Sequence, residues 1–408
     1  MTRLSGMACL LLAALAATLS APALAQAVGD KVVILPDKLP APYATPSAAN
    51  TPEQIGVPSP LPLQLPRGFA VNAFASGLGN ARNLLVTANG DVLLAESDAG
   101  RIILLRDADG AGKAEVKSVL AEGLDEPFGM AVQNGYLYVG EPRRVVRFRY
   151  RIGDPRVSGE AEAVTHGDAL GSGGGHSTRS LLFSADGKRL FVTVGSASNV
   201  AEDSLPRASI QVFNADGSGQ QTYASGTRNP VGIARNPATG QLWATVVERD
   251  GLGDNLPPDF LSHIVEGGFY GWPYAYAGPH PDPHFGNKRP DLVQRSIVPD
   301  ILLKPHGSPL GLVFYDGAMF PADYQGDALV SLHGSWNAGE PSGYMLVRVR
   351  FKDGMPAGRG YEVFATGFRL APANRVWGRP VGLAVAKDGA LLVADDVADT
   401  VWRISYRK

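Results

Sequence analysis

Apolar residues in this chain occur in short runs separated by turns that contain Gly, Asn or Asp, and no long segment with the helical period of 3.6 residues follows the N-terminal leader. One unit recurs six times: an apolar run, a short turn and a second β-rich run. Turns such as T-A-N-G-D at 87–91 supply the positive φ that a tight hairpin needs. Each unit is therefore predicted to be a β-hairpin. The copies align on one apolar residue apiece: Leu84, Met130, Leu181, Ile233, Leu312 and Leu383.

The repeat decides the predicted architecture. A hairpin that cannot bury its own apolar face has to stack on its neighbours. About 340 residues shared by six units gives roughly 57 per unit, somewhat above the usual length of a propeller blade, and insertions after the fourth and fifth units account for the excess. The sequence therefore predicts an all-β fold, a six-bladed β-propeller of four-stranded antiparallel blades over residues 66–408. The last strand, 400–406, is expected to pair with an early one, 69–74, and to close the ring.

Composition agrees with a turn-rich β fold and argues against some partners. The chain has 49 Gly and 31 Pro among 408 residues, which suits many short turns better than helices. A formal net charge of −2 argues against nucleic acid as the main partner, because that normally needs a basic stripe. The region after the leader contains no apolar segment long enough to span a membrane.

The N-terminus has the three-part pattern of a cleaved secretory signal. Arg3 precedes an apolar run at 7–19, and Ala23-Leu24-Ala25 follows as the cleavage signal. We expect a signal peptide over residues 1–25 and a periplasmic or secreted protein. The single cysteine, Cys9, lies inside that leader, so the mature chain is expected to have no thiol or disulfide. Residues 26–65 are rich in Pro and Ala and are predicted to be an extended arm.

Residues at one register of every propeller unit meet at one mouth of the central channel. His176 and Arg228 occupy the same register in consecutive units, so they are expected to be neighbours there. His176 follows G-S-G-G-G at 171–175, a backbone that lets a ligand approach closely. Arg82 and Arg379, together with Arg228, are expected to make this mouth cationic. The sequence therefore predicts a binding site for a small polyanion.

Two further groups of residues could hold a metal ion. The segment E-R-D-G-L-G-D at 248–254 has carboxylates and carbonyls at spacings that suit a hard cation such as Ca²⁺, although not in the pattern of an EF-hand. Its candidate ligands are Glu248, Asp250, Gly251, Leu252 and Asp254. Three histidines lie in Pro-rich loops, without the His/Cys spacing of a usual zinc site: His280, His284 and His306.

Several motifs, in a fixed order within the repeat, resemble one family. They are G-H-S at 175–177, F-S-A-D-G-K-R-L-F-V-T-V-G at 183–195, G-T-R-N-P-V-G at 226–232, E-R-D-G-L-G-D at 248–254, G-G-F-Y-G-W-P at 267–273 and G-R-P-V-G-L at 378–383. Over about residues 60–408 the chain resembles the soluble sugar dehydrogenases that depend on pyrroloquinoline quinone (PQQ), including the aldose and L-sorbosone dehydrogenases. The resemblance implies oxidation of an aldose, a polyol or a sugar aldehyde such as sorbosone, with PQQ and Ca²⁺ as cofactors.

The resemblance also implies roles for single residues. His176 corresponds to the general base, and an imidazole suits this role because its pKa lies near working pH. Arg228 and Asn229 correspond to the pair that holds the quinone oxygens, where a positive charge assists the reaction. Carbonyls near Gly251 and Leu252 would ligate the Ca²⁺. The remaining residues expected to bind the cofactor are Arg82, His306, His333 and Arg379.

Alternatives from other classes remain open at this stage. His333 stands where the glucose-oxidising members have a cofactor-binding lysine, and Trp377 stands where a second arginine would precede Arg379, so the chain could be a member that has lost cofactor binding. No C-x-x-C-H motif occurs, so electrons are expected to pass to a separate acceptor such as a cytochrome or a quinone. A non-catalytic propeller that binds a glycan or partner also remains possible. A metal-dependent lactonase would use a carboxylate-rich centre, for which the candidates are Glu96, Glu141, Glu248 and Asp395.

Overall fold

The computed structural model describes residues 26–407, and the predicted signal peptide lies outside them. Within that range the protein is all-β and propeller-like, as the repeat predicted. Six sheets each contain four antiparallel strands. The strand of each sheet that lies at the axis is called its first strand, and we number the sheets 1 to 6 in the chain order of these axial strands. The face at which the first strand of each sheet begins and the second ends is called the mouth face.

The strands of each sheet follow one another along the chain, except in the last sheet. Sheet 1 comprises Ala81–Val86, Val92–Glu96, Arg101–Arg106 and Val116–Glu122. Sheet 2 comprises Met130–Gln133, Tyr136–Gly140, Val145–Arg149 and Ser158–Ala163. Sheet 3 comprises Leu181–Phe183, Arg189–Val194, Ser209–Asn214 and Gln221–Ser225. Sheet 4 comprises Asn229–Arg235, Leu242–Val247, Asp259–His263 and Ile301–Leu303. Sheet 5 comprises Pro309–Phe314, Ala328–Leu332, Met345–Val349 and Gly360–Ala365.

Sheet 6 joins the beginning and the end of the region 66–407. It comprises Pro380–Val385, Leu391–Asp395, Thr400–Tyr406 and Phe69–Ser76. The pairing of Phe69 with Tyr406, and of Ser76 with Thr400, confirms the strand pair predicted from the sequence. Because the early strand lies beside the last one, unfolding of either terminus of this region would open the same sheet.

Glycine at a fixed position of the repeat lets neighbouring sheets approach closely. A Cβ atom on Gly129 would lie 2.2 Å from the carbonyl oxygen of Arg179, and one on Gly311 would lie 2.2 Å from that of Val381. Two units have a polar side chain at this position instead. Asn83 donates from Nδ2 to the carbonyl of Phe128 at 3.1 Å, and Ser180 donates from Oγ to that of Val231 at 2.6 Å. The repeat motif is thus explained by contact between one sheet and the next.

An apolar cluster, which we call the plug, crosses the axis just below the mouth face. It contains Phe128, Val231 and Val381, with Leu310 and Val247 packed against it. Four of these residues directly follow the Pro of their units, at 127, 230, 309 and 380. On the other side of the plug lies a cavity of about 430 Å³ lined by the first strands of all six sheets, including the six aligned apolar residues. The plug therefore separates this cavity from the mouth.

Shorter elements decorate the sheets. Lys31–Val33 adds a fifth strand to sheet 5, and Gly268–Phe269 adds a parallel strand to sheet 3. Glu53–Gln54, Arg375–Val376 and Arg369–Leu370 form a small sheet, as do the pairs Ala275–Tyr276 with His280–Pro281 and Phe351–Lys352 with Met355–Pro356. The 3-10 turns are Pro36–Lys38, Gly286–Lys288 and Ala322–Tyr324, and the α-helix is Pro290–Arg295. No helix within residues 26–407 has the length and apolar character needed to cross a membrane.

Candidate active site

His176 lies at the mouth face with its ring orientation fixed by Ser196. Nδ1 is 2.9 Å from the Ser196 carbonyl oxygen and 3.1 Å from Ser196 Oγ. Because a carbonyl oxygen can only accept, Nδ1 carries the proton and Nε2 remains an acceptor, without a hydrogen-bond partner among residues 26–407. Burial, assisted by the nearby positive charge of Arg228, lowers the pKa of His176 to about 4. The ring is therefore a neutral base at neutral pH.

The predicted neighbour relation between units 3 and 4 is observed. Gly195 separates His176 from Asn229, since a Cβ atom there would lie 2.5 Å from the His176 Cβ and 2.4 Å from Asn229 Oδ1. Asn229 is buried, and within the described chain its Oδ1 has no hydrogen-bond partner. An unpaired buried amide oxygen costs about 1–3 kcal/mol, and its place beside His176 makes this atom a candidate acceptor for a ligand's hydrogen-bond donor.

Arg228 is buried and held by backbone carbonyls. Nε donates to the Asn199 carbonyl at 2.9 Å, Nη2 to Asn199 Oδ1 at 3.0 Å, and Nη1 to the Glu248 carbonyl at 2.8 Å. Its Nη2 also lies 3.9 Å from Asp250 Oδ2. The guanidinium is therefore fixed in one orientation beside Asn229, with its charge only partly balanced.

Asn199 connects these groups, and sequence reasoning missed it. Its Nδ2 donates to the Asp250 carbonyl at 3.1 Å, while its Oδ1 accepts the Asp250 N–H at 2.8 Å. Its carbonyl also accepts the indole N–H of Trp272 at 3.1 Å, which gives part of the G-G-F-Y-G-W-P motif a link to the site. The available signal was the position of Asn199, three residues after Ser196 and just beyond a second strand.

Two buried arginines that were not predicted hold the backbone of His176. Arg179 donates from Nη1 to the His176 carbonyl at 2.8 Å, and Arg207 donates from Nη2 to the Gly173 carbonyl at 2.8 Å. Burial, with Arg207 nearby, lowers the pKa of Arg179 to about 9. The glycine-rich approach to His176 is therefore anchored by charged donors at both ends of its turn.

A second cluster at the mouth face joins three of the predicted cofactor-binding residues to Asp396. His333 Nε2 lies 3.0 Å from both carboxylate oxygens, and Arg82 forms an ion pair with the same group. Arg379 donates from Nε to the His333 carbonyl at 3.2 Å. Burial outweighs the neighbouring carboxylate and lowers the pKa of His333 to about 4. Although burial alone would raise it, His333 and Arg82 hold the pKa of Asp396 well below its usual range.

The mouth is less cationic than the sequence predicted. Asp396 pairs with Arg82, and Asp250 lies beside Arg228. Trp377, the residue found in place of an expected arginine, is fully buried and donates its indole N–H to the Gly367 carbonyl at 2.6 Å. It is therefore a core residue and takes no direct part in the site.

The predicted calcium ligands lie in separate sets of contacts. Asp250 Oδ1 is 3.3 Å from His306 Nδ1 and also accepts from Asn337, and Asp254 Oδ2 accepts the Gly339 N–H at 2.8 Å. Glu248 is buried, and burial raises its pKa to about 8. The Leu252 carbonyl accepts the N–H of Tyr43 at 2.8 Å, whereas that of Gly251 makes no hydrogen bond within residues 26–407. The side chains expected to form one calcium cage do not converge on one point.

The carboxylates considered for a lactonase brace the mouth loops instead. Oε1 of Glu96 accepts the Gly79 N–H at 2.7 Å, and Oε1 of Glu141 accepts the Asp125 N–H at 2.9 Å. Asp395 does the same for the N–H of Arg379 at 2.8 Å. Within residues 26–407 none of them belongs to a group of three ligand atoms close enough to share a metal; the group that meets this criterion lies on the opposite face, at Asp107, Asp109 and Glu115.

Comparison with known proteins finds one matching family model and several solved structures with a similar fold. A family model described as TrAA12-like matches residues 63–256 and 291–407. An uncharacterised protein of Borreliella burgdorferi is 26% identical over 360 residues, which cover 85% of this chain and 91% of that protein. The iodide structure of the family AA12 enzyme of Trichoderma reesei has a TM-score of 0.71 and 20% identity, over 85% of this chain and 98% of the other. The holo form of the pyranose dehydrogenase PQQ domain of Coprinopsis cinerea also has a TM-score of 0.71, with 21% identity, over 88% and 100% of the two chains.

Proposed function

Because the chain belongs to the TrAA12-like family, we propose that it is a quinoprotein oxidoreductase that oxidises an aldose, a polyol or a sugar aldehyde such as sorbosone. The observation that carries the proposal is the neutral His176 with its free Nε2, in a residue that lies beside Asn229, whose Oδ1 is unpaired, and near the fixed Arg228. The six sheets are proposed to form a closed six-bladed β-propeller, since Gly382 of sheet 6 lies against the backbone of Arg82 at the start of sheet 1.

The residues at the mouth fit a quinone cofactor. The Nδ2 group of Asn229 and the charged guanidinium of Arg228 would donate to the quinone oxygens, and Arg379 would supply a charge for a carboxylate. When bound, PQQ would supply the acceptor for the hydride that a sugar loses, and the two electrons would leave to a separate acceptor such as a cytochrome or a quinone. His176 Nε2 would take the proton of the substrate hydroxyl, while Ser196 keeps the other ring nitrogen protonated.

The predicted calcium ligands make contacts apart from those of His176 and Asn229. Glu248, Asp250 and Asp254 do not bring three ligand atoms together within the described residues, and Asp250 and Asp254 each accept from protein donors, although Glu248 Oε1 and Asp254 Oδ1 are buried there without a partner. No step of the proposed reaction is therefore routed through a metal. The lactonase alternative finds no support either, since Glu96, Glu141 and Asp395 brace loops.

Titration of purified protein with PQQ tests the proposal directly. We expect saturable binding with a change in the cofactor absorbance, and dye reduction with at least one member of a panel of aldoses, polyols and sorbosone. Ligand at 100 times its dissociation constant adds about 2.7 kcal/mol to the stability of the folded state, so the melting temperature should rise. The titration is run with Ca²⁺ and with a chelator. Absence of binding in both conditions would favour a non-catalytic propeller that binds a glycan or a partner.

The pH dependence of the reaction follows from the lowered pKa of His176. With a pKa of about 4, only about one-tenth of the imidazole is protonated at pH 5, whereas a histidine with the usual value of about 6.5 would be almost fully protonated. A base must be neutral to act, so we expect kcat/KM at pH 5 to stay near its value at pH 7 and to be halved near pH 4. Steady-state kinetics over pH 3.5 to 8, with circular dichroism to confirm folding, measures this. A midpoint near 6.5 would contradict it.

A further inference from the structure

Part of the N-terminal arm runs along the mouth face and contacts three loops in turn. We call residues 43–55 the strap. The Tyr43 N–H donates to the Leu252 carbonyl at 2.8 Å, that of Asn50 to the Trp336 carbonyl at 2.7 Å, and that of Ile55 to the Val376 carbonyl at 2.9 Å. The arm was predicted to be extended, but these contacts with the sheets could not be read from its composition.

Each loop that the strap contacts carries residues of the candidate site. The first loop, 250–254, includes Asp250, which lies beside Arg228. The second, 333–339, includes His333 and Asn337, and Asn337 donates to Asp250. The third leads through residues 374–378 to Arg379. The strap therefore lies against the outer side of the three loops that surround one half of the site.

Two side chains of the strap make contacts that depend on their chemistry. Thr45 Oγ1 accepts the N–H of Asp254 at 2.8 Å, and Asn50 Nδ2 donates to the Gly339 carbonyl at 3.1 Å. The Gly339 N–H donates in turn to Asp254 Oδ2 at 2.8 Å. These bonds link the strap, the first loop and the second loop in a closed circuit.

The fit between the strap and the first loop is tight. Gly253 has a φ of +106°, and a Cβ atom there would lie 2.6 Å from the Thr45 carbonyl oxygen. The Asn374 side chain donates to the Asn50 carbonyl at 2.7 Å and so ties the third loop to the same point of the strap. Backbone that is already ordered before a ligand arrives lowers the ordering cost of binding.

We propose that the strap is part of the cofactor site, with Thr45 and Asn50 as positioning residues that hold loops 250–254 and 333–339 in their binding conformation. The inference rests on the proposed function, because the ligand whose affinity the strap sets is PQQ. Neither residue needs to touch the cofactor.

The test compares Thr45→Val and Asn50→Ala with the parent protein. Thr45→Val keeps the shape of the side chain but leaves the Asp254 N–H without its acceptor. This donor is partly buried, so the loss of its acceptor should open the loop locally, and we expect hydrogen exchange in peptides covering 250–254 and 336–339 of the cofactor-free protein to accelerate by about tenfold. The dissociation constant of PQQ should rise by a similar factor. The apo melting temperature should change by no more than about 2 °C, since the sheets are untouched.

Two controls separate positioning from a general loss of stability. Thr45→Ser restores the hydroxyl acceptor and should return both exchange and PQQ affinity to the parent values. Asp37→Ala lies in the same arm outside the strap, at an exposed position, and should change neither. The same exchange measurement with a chelator should give the parent pattern, because the loop is held by protein groups.

The outcomes are distinguishable. Unchanged exchange in both loops of Thr45→Val and Asn50→Ala would overturn the proposed role of the strap. Faster exchange with unchanged PQQ affinity would overturn its link to the cofactor. If the parent protein binds no PQQ, the proposed function fails, and the exchange data alone then decide whether Thr45 and Asn50 hold the loops.

Discussion

Replacement of His176 by Ala should lower the turnover number by about 10²–10⁴, the usual contribution of a positioned base. Nε2 of this ring is free and unprotonated, because Ser196 keeps the proton on Nδ1. Within residues 26–407 no other histidine is hydrogen-bonded to Ser196, so none is oriented in this way. The affinity for PQQ should change by less than about threefold, because the cofactor is held by other groups. Dye-linked kinetics with the best substrate, beside an absorbance titration of the cofactor, measures both quantities.

A matched control for this variant is His166→Ala. His166 is exposed, so its removal should leave turnover and PQQ affinity at the parent values. A His176→Ala protein that reduces dye at nearly the parent rate would exclude His176 as the base. Loss of turnover together with loss of PQQ affinity would instead show that the ring serves to bind the cofactor.

Arg228→Ala should damage binding and turnover together. Removal of one positively charged donor from a catalytic site typically lowers turnover by about 10²–10³. The change also removes the side-chain donor of the Glu248 carbonyl and one of the two side-chain donors of the Asn199 carbonyl, and it leaves Asp250 without its neighbouring charge. We therefore expect the dissociation constant of PQQ to rise by at least about tenfold and the melting temperature of the apo protein to fall.

The stability loss needs its own control, because a partly unfolded variant would also bind poorly. Arg228→Lys keeps the charge but cannot reproduce the fork of donors, so it should recover part of the PQQ affinity and little of the geometry. Arg350→Ala removes an arginine from an exposed ion pair with Glu362 and should alter neither activity nor cofactor binding. Parent-like PQQ affinity in a folded Arg228→Ala protein would show that this guanidinium does not contact the cofactor.

The repeat allowed the sheets to be predicted from the sequence. The resemblance to the family came from the motifs and their order. Aligned residues such as Leu84 and Ile233 do line one cavity, because each sheet contributes its first strand in the same orientation. Four of the six units have glycine after the Pro-apolar pair, where one sheet closely approaches the next, so this position stays visible in the sequence. The resemblance to the soluble PQQ-dependent sugar dehydrogenases is confirmed by the family match and the similar structures.

The details of the site could not be predicted, because they depend on contacts between distant residues. Asp396 meets Arg82 across 314 positions of the chain, and Asn337 meets Asp250 across 87. No local pattern announces such pairs. The calcium cage was expected from spacing within one segment, yet Asp254 Oδ2 accepts a hydrogen bond from the Gly339 N–H of the next sheet. The proposed roles of His176 and Arg228 remain predictions until the variants are measured.

The plug of Phe128, Val231 and Val381 has a consequence for traffic through the molecule. Since the plug blocks the axis between the mouth and the opposite cavity, no passage runs straight along the axis between the six described sheets. A reactant that enters along the axis from the mouth has to leave through the mouth before another can bind. For the proposed enzyme, substrate and electron acceptor would therefore bind at the mouth in turn, so a large excess of one should inhibit reaction with the other.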